Sequence, residues 1–361
     1  MPKAIVGMSG GVDSSVAALL LKKEGFAVEG VSLLMFENRG KTKTCASSCC
    51  SLETAQEAGR TAEAIGMPFK IVDARDLFIE KVINPFVRSY AAGLTPNPCI
   101  LCNMHVKFPV LLQEAGKCGA EFIATGHYAR IERNNGDVKL LAGLDPAKDQ
   151  SYVLYAQKKE ELERLLLPLG KLKKAEVRAI AHAAGLPVFN KPESQEICFT
   201  GGDDYRTALK ELGHEAMKEG PVYYQDGRRI GTHSGVCAFT IGQRKGFRVQ
   251  NPAPGPPRPL YVYRIDASEN AIYVGEREKA LSKRVLVSGI NWLSKPAKWP
   301  FRAGVKVRSM MRPAPALVQM TGENGLLIEL DGPQWAPAPG QSAVLYDGDA
   351  VLGGGIIAAL P

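Results

Sequence analysis

The stretch Lys3 to Glu24, KAIVGMSGGVDSSVAALLLKKE, constrains this chain more than any other. An apolar run (Ala4, Ile5, Val6, Met8) stops at Ser9-Gly10-Gly11, and an amphipathic run with Val16, Ala17, Leu19 and Leu20 at helical spacing follows. The pattern predicts strand, glycine turn, helix. Two adjacent glycines carry no Cβ to hold a ligand away, so the N–H groups of Gly10 to Ser14 can point together at an anion, and the helix N-terminus adds partial positive charge. A phosphate or pyrophosphate is the natural guest. Asp13 would repel it unless a divalent cation, Mg²⁺, sits between.

From Lys3 to about Arg130 short β-rich runs alternate with helical patterns, as a doubly wound parallel sheet requires. The candidate strands are 4–6, 28–34, 69–72 and 122–125, with helical patterns at 52–65, 77–90 and 106–118. Ligands in such sheets bind beyond the carboxyl ends of the strands, where Gly10, Leu33 to Met35 and Gly126-His127 fall. A hairpin around Asn134 to Asp137 follows, then helical patterns at 151–166 and 174–184. After about Asp203 glycine, proline and short alternating runs dominate, including 236–241, 260–265, 271–274 and several beyond 284. The expected fold is therefore α/β, Rossmann-like, over residues 1–203, a small β-rich central domain over 204–280 and a C-terminal β-barrel over 281–361.

No run is apolar enough to span a bilayer and the N-terminus lacks a signal-peptide pattern, so a cytoplasmic protein with no membrane partner is expected. In a reducing compartment eight cysteines point to catalysis or metal binding rather than a structural disulfide framework. Cys99-Ile-Leu-Cys102 follows two prolines just ahead of a helical pattern, where N–H groups favour a thiolate. No second C-x-x-C or paired histidine completes a zinc site. Cys198 by itself reads as a small core residue. Cys45, Cys49 and Cys50 fall in a polar loop after Arg39, Lys41 and Lys43, which favours an exposed lid or RNA-contact loop over a sulfur relay or zinc ligand set.

The formal charge of +8 is compatible with a polyanionic partner. From Arg228 to Arg264 there are seven Arg or Lys residues and no Asp or Glu, interleaved with Phe239, Phe247, Tyr261 and Tyr263. Such a stretch is either a solvated face or an RNA contact that pairs phosphate attraction with flat surfaces for bases.

The turn is neither a Walker A loop nor a dinucleotide fingerprint. Its Ser-Gly-Gly-x-Asp-Ser order, Ser9 to Ser14, resembles the PP-loop of ATP pyrophosphatases. Taken with Thr95 to Pro98, Cys102-Asn103, Lys107-Phe108, Ala124 to Arg130, Lys148 to Tyr152, Glu196 to Phe199, Phe239 to Gly246 and Pro339 to Gln341, the chain resembles the bacterial tRNA-specific 2-thiouridylases nearly end to end. The resemblance implies an enzyme that adenylates the C2 oxygen of the wobble uridine and replaces it with sulfur. It places ATP on Gly7, Met8, Ser9, Gly10, Gly11, Val12, Asp13, Ser14, Leu33 and Gly126. It makes Cys198 the persulfide carrier and Cys102 its partner nucleophile, the two forming a transient disulfide in one version of the reaction. Asn97, Pro98 and Cys99 would line the target base. His127, Lys148, Asp149, Gln150, Arg308, Ser309 and Gln341 would touch tRNA, with the Lys, Glu and Gln isoacceptors as substrates. A sulfur-relay protein or cysteine desulfurase would load Cys198.

Two positions depart from the family pattern. Cys99 stands where an aspartate is frequent, and Ser309 where an aromatic residue often follows the arginine. Three thiols, Cys99, Cys102 and Cys198, open a lesser reading in which an iron–sulfur cluster carries the sulfur. Another PP-loop adenylating enzyme would need no cysteine pair, and a non-catalytic RNA-binding protein would need no intact Ser9 to Ser14.

Overall fold

The computed structural model describes residues 1–36, 52–134, 136–191, 198–199, 217–250, 258–322 and 324–358. Cys45, Cys49 and Cys50 therefore lie outside the described residues. The chain divides into two compact units, one of Met1–Ile83, Pro98–Asp203 and Asp349–Val351, the other of Asn84–Asn97, Asp204–Gly348 and Leu352–Pro361. No helix among the described residues is long and apolar enough to cross a membrane.

The first unit begins with β1 (Lys3–Gly7), α1 (Val12–Lys23), β2 (Ala27–Leu34), α2 (Leu52–Ile65) and β3 (Phe69–Asp73). A short α3 (Arg75–Phe78) runs into a π-helical turn, Ile79–Ile83, and α4 (Asn84–Ala91) opens the second unit's first segment. Then come α5 (Pro98–Cys102), a π turn Asn103–Lys107, α6 (Phe108–Lys117), β4 (Phe122–Ala124), the hairpin β5 (Ala129–Asn134) and β6 (Asp137–Ala142), α7 (Lys159–Glu163), β7 (Leu165–Leu166) and α8 (Lys174–Ala183). The sheet order is β3-β2-β1-β4-β7, with every pairing parallel. β1 is buried on both faces, with Ala4, Ile5 and Val6 fully enclosed, as a central parallel strand must be. On one face α1 and α8 pack Val16, Ala17 and Leu21 with Val177 and Ala181 in a shared core.

Three local expectations differ from the structure. The helical pattern at 151–166 is instead a 3₁₀ turn at Ser151–Val153, the short α7 and the strand β7. Leu165 and Leu166 pair with Ile123 and Ala124; adding an apolar pair to the sheet edge wins over continuing a helix. The run 236–241 forms a 3₁₀ turn at Val236–Ala238 rather than a strand. Cys99 and Cys102 lie inside a helical turn, not ahead of one, because Pro98 takes the first helical position, where a missing N–H costs nothing.

In the second unit β8 (Gly220–Tyr224), β9 (Arg229–His233), β10 (Phe247–Val249), β11 (Tyr261–Asp266) and β12 (Ala271–Gly275) form a sheet of order β10-β9-β8-β12-β11. The strands β13 (Leu281–Trp292), β14 (Phe301–Lys306), β15 (Ala314–Thr321), β16 (Gly325–Trp335), β17 (Ser342–Asp347) and β18 (Ala350–Ile357) run β13-β16-β15-β14-β17-β18, and pairing of β13 with β18 closes the barrel. Alternate residues such as Val285 and Val287, Ala316 and Val318, and Leu326, Ile328 and Leu330 fill its interior. The α/β sheet, the small β-rich region and the barrel are those expected from the sequence.

Candidate active site

The turn after β1 is built by its own serines. Ser14 Oγ accepts from the Ser9 N–H at 3.1 Å and donates to the Gly11 carbonyl at 3.1 Å, while Ser15 Oγ donates to the same carbonyl at 2.9 Å. Both hydroxyls thus fix Gly11, the N-cap of α1. Gly10 has φ +67°, and a Cβ there would stand 2.5 Å from the Thr54 carbonyl oxygen. A Cβ on Gly126, just past β4, would meet the backbone of Asp13 and Ser14 at 2.7 Å. Glycine is required at both places: at one by conformation and closeness, at the other by closeness alone.

Around this turn stand charged groups that sequence reasoning passed over. Lys174 Nζ donates to both oxygens of Asp13 at 2.7 Å, and the Tyr128 hydroxyl donates to Asp13 Oδ1 at 2.7 Å. Lys191 Nζ donates to the Gly10 carbonyl at 3.1 Å and pairs with Glu57. Lys174 and Lys191 carried no local signal, being two among 45 Lys and Arg residues. Asp13 is therefore not bare: the Lys174 ammonium and the Tyr128 hydroxyl both meet its carboxylate. Among the described residues no group of three or more His, Cys, Asp or Glu could hold a metal ion, and the thiols of Cys99, Cys102 and Cys198 are not gathered into one.

The carboxyl ends of β2, β1 and β4 lie side by side, so the segments after them share one edge. Leu33 and Met35 are buried there. Cys102, also buried, donates its S–H to Met35 Sδ at 3.6 Å, which seats it against the end of β2. Cys99 is exposed and Cys198 is half-buried. Phe199, beside Cys198, packs edge-on against Phe78 with ring centroids 5.9 Å apart. His127 Nδ1 lies 2.8 Å from Thr125 Oγ1. Burial holds its imidazole well below the ordinary histidine value, and the Lys107 charge acts in the same direction, so the ring is neutral at pH 7.

Two of the expected RNA-contact residues beside this edge are bonded within the protein. Asp149 accepts from the N–H groups of Gly143 and Ser151 at 3.0 Å each. Gln150 Oε1 accepts from the Tyr128 N–H at 3.0 Å, and its own N–H donates to the Tyr128 carbonyl at 2.8 Å. Tyr128 thereby ties the Lys148 to Gln150 turn to Asp13. In the second unit Gln341 Nε2 donates to the Thr95 carbonyl at 3.1 Å, close to Asn97 in the chain, and Arg308 donates to the carbonyls of Ile241 and Ala336. Ser309 is half-buried and its neighbour Met310 is 84% exposed. Phe239 is a correction: it is buried in the core of the small sheet, edge-on to His233, and offers no surface for a base. Arg244, Lys245 and Arg248 are exposed.

Residues 2–202 match the tRNA methyl transferase HUP domain family, 207–276 the tRNA methyl transferase PRC-barrel domain and 282–357 the aminomethyltransferase beta-barrel domain. The tRNA-specific 2-thiouridylase MnmA 2 of Thermoanaerobacter sp. strain X514 is 42% identical over 98% of this chain and 97% of its own. The tRNA-specific 2-thiouridylase MnmA of Clostridioides difficile strain 630 is 40% identical over 98% of both chains. Among solved structures, a 4-thiouridine synthetase in complex with RNA and ATP aligns with 58% of this chain and 50% of its own at 17% identity, with a TM-score of 0.35, too loose to carry an argument.

Proposed function

The chain belongs to the tRNA-specific 2-thiouridylase family, and from that premise we propose that it is an ATP-dependent sulfurtransferase that converts the wobble uridine of tRNA to 2-thiouridine. The observation that carries this reading is the convergence at one sheet edge of the serine-braced glycine turn, the Gly126 close approach and Cys102. An anion cradle beside a nucleophile suits activation followed by substitution.

In the first stage the turn 7–14, with Leu33 and Gly126, holds ATP; the uridine C2 oxygen attacks the α-phosphorus and pyrophosphate leaves. Adenylation turns a poor leaving group into a good one. In the second stage the terminal sulfur of a Cys198 persulfide attacks C2. The C2–O bond breaks and AMP leaves; the Cys102 thiolate attacks Cys198 Sγ, the sulfur–sulfur bond of the persulfide breaks so that its outer sulfur stays on C2, and the resulting Cys102–Cys198 disulfide is later reduced by two thiol equivalents. The neutral His127 serves as a hydrogen-bonding group towards RNA rather than as a cation. Asn97, Pro98 and Cys99 line the target base, and Lys148, Asp149, Gln150, Arg308, Ser309 and Gln341 contact tRNA, whose Lys, Glu and Gln isoacceptors are the substrates. A persulfide-bearing relay protein or cysteine desulfurase supplies the sulfur. Magnesium enters as the counter-ion of the nucleotide. We also propose that residues 1–203, 204–280 and 281–361 are the three functional domains.

The deciding experiment is incubation of wobble-unmodified tRNA with the protein, ATP, Mg²⁺ and a persulfide donor, read by mass spectrometry of the nucleosides and by pyrophosphate release. Formation of 2-thiouridine is expected; its absence together with absent pyrophosphate release overturns the reading. The exposed basic loop gives a second expectation. Replacing Arg244, Lys245 and Arg248 together by alanine should weaken tRNA binding across isoacceptors and flatten its salt dependence by up to about three units of slope. Filter binding between low and moderate salt measures it, and an unchanged slope removes the loop from the interface.

A further inference from the structure

Asp13 stands in the phosphate-binding turn, yet its charge is already answered from within the chain. Lys174 Nζ lies 2.7 Å from both carboxylate oxygens with only 11% of its side chain exposed. It also sits 5.6 Å from the centroid of the Tyr128 ring, whose hydroxyl bonds the same carboxylate. Lys174 is the first residue of α8, and Val177 and Ala181 of that helix share a core with Val16, Ala17 and Leu21 of α1. The lysine is thus carried on a helix clamped to the one that bears Asp13. A solvent-exposed pair of this kind would contribute little, but one held by packing, a phenol and two short contacts leaves a costly unpaired charge when either partner is removed.

We propose that Lys174 is a nucleotide-binding residue of this enzyme: the resident counter-ion of Asp13, whose ammonium is shared between that carboxylate and an incoming polyphosphate. The turn then admits a highly charged anion without a metal ion held by the protein itself, in keeping with the ligand set around Asp13. Tyr128 keeps the carboxylate oriented while the ammonium is shared. The inference rests on the reading that this turn binds ATP.

The test is calorimetric binding of an ATP analogue with a methylene bridge between the α and β phosphates, in excess EDTA and again with Mg²⁺, with no turnover involved. Lys174→Met should weaken binding at least about tenfold in both conditions, as expected for stripping one partner from a shielded charge pair. Lys174→Arg should recover most of the loss. Asp13→Asn removes the carboxylate that competes for the ammonium, so on that background Lys174→Met should again weaken binding about tenfold. This second comparison contains no unpaired carboxylate and decides the matter should Lys174→Met alone fail to fold. Equal affinities with and without Lys174, with unliganded thermal midpoints unchanged, overturn the role of Lys174 while leaving ATP binding intact. No binding by the wild-type protein overturns the ATP reading instead.

Discussion

Cys198→Ser protein, given ATP, Mg²⁺, a persulfide donor and wobble-unmodified tRNA, should release pyrophosphate yet form no 2-thiouridine. Serine cannot carry a sulfane sulfur, so the second stage loses its nucleophile while the first keeps every group it needs. The expected drop in thiolation is at least about 10³-fold, the scale on which removing a covalent nucleophile acts. Cys102→Ser should behave alike, because without that thiol nothing takes the Cys198 sulfur as the product leaves. Burial of Cys102 against Met35 adds a stability cost of about 1–2 kcal/mol for placing a hydroxyl there, so its thermal midpoint has to be read beside its activity. Cys99→Ser carries no such cost, since that side chain is exposed. Thiolation by Cys198→Ser at the wild-type rate would move the carrier role to another cysteine, with Cys99 or the segment 45–50 first in line.

Gly126→Ala should weaken ATP binding at least about tenfold through backbone alone. The added Cβ would lie 2.7 Å from Asp13 C and Ser14 N, main-chain atoms of the first turn of α1. Neither can yield without moving a helix whose apolar face is locked in the sheet core. Overpacking of this kind costs about 1–3 kcal/mol, and relief by shifting α1 displaces the anion cradle. A loss of at least tenfold in nucleotide affinity is expected, roughly the affinity equivalent of the lower part of that range. Gly116→Ala is the matched control, because nothing lies within 4 Å of its Cβ and it sits within α6. It should gain up to about 1 kcal/mol from helix propensity. Wild-type ATP affinity in Gly126→Ala would mean that the strand end and the turn are not rigidly apposed.

The parts of this molecule that were legible in advance are local ones. The strand, glycine turn and helix of residues 3–24 are written in consecutive residues, as are α2, whose bounds agree to the residue, and the hairpin turn where Gly136 takes φ +81°. Their physics is periodicity and backbone freedom, both readable over a few positions. Where a segment's fate depended on a partner, the local reading failed. Leu165 and Leu166 continued a helical pattern until a sheet edge claimed them, and Phe239 looked like part of an aromatic, basic RNA surface until the core of a small sheet took it.

The charge balance of the candidate site belongs entirely to the second kind. Asp13 meets Tyr128 across 115 positions and Lys174 across 161, and Gly10 meets Lys191 across 181. By itself the sequence determined that a glycine turn joins the first strand to the first helix, a shape suited to a phosphate, while the pairing of Cys102 with Cys198 came from the family resemblance. Only the tertiary structure decided which cation answers Asp13 and which thiol is enclosed. Pairing between distant side chains is set by how helices pack, and packing leaves no mark on the spacing of any one segment.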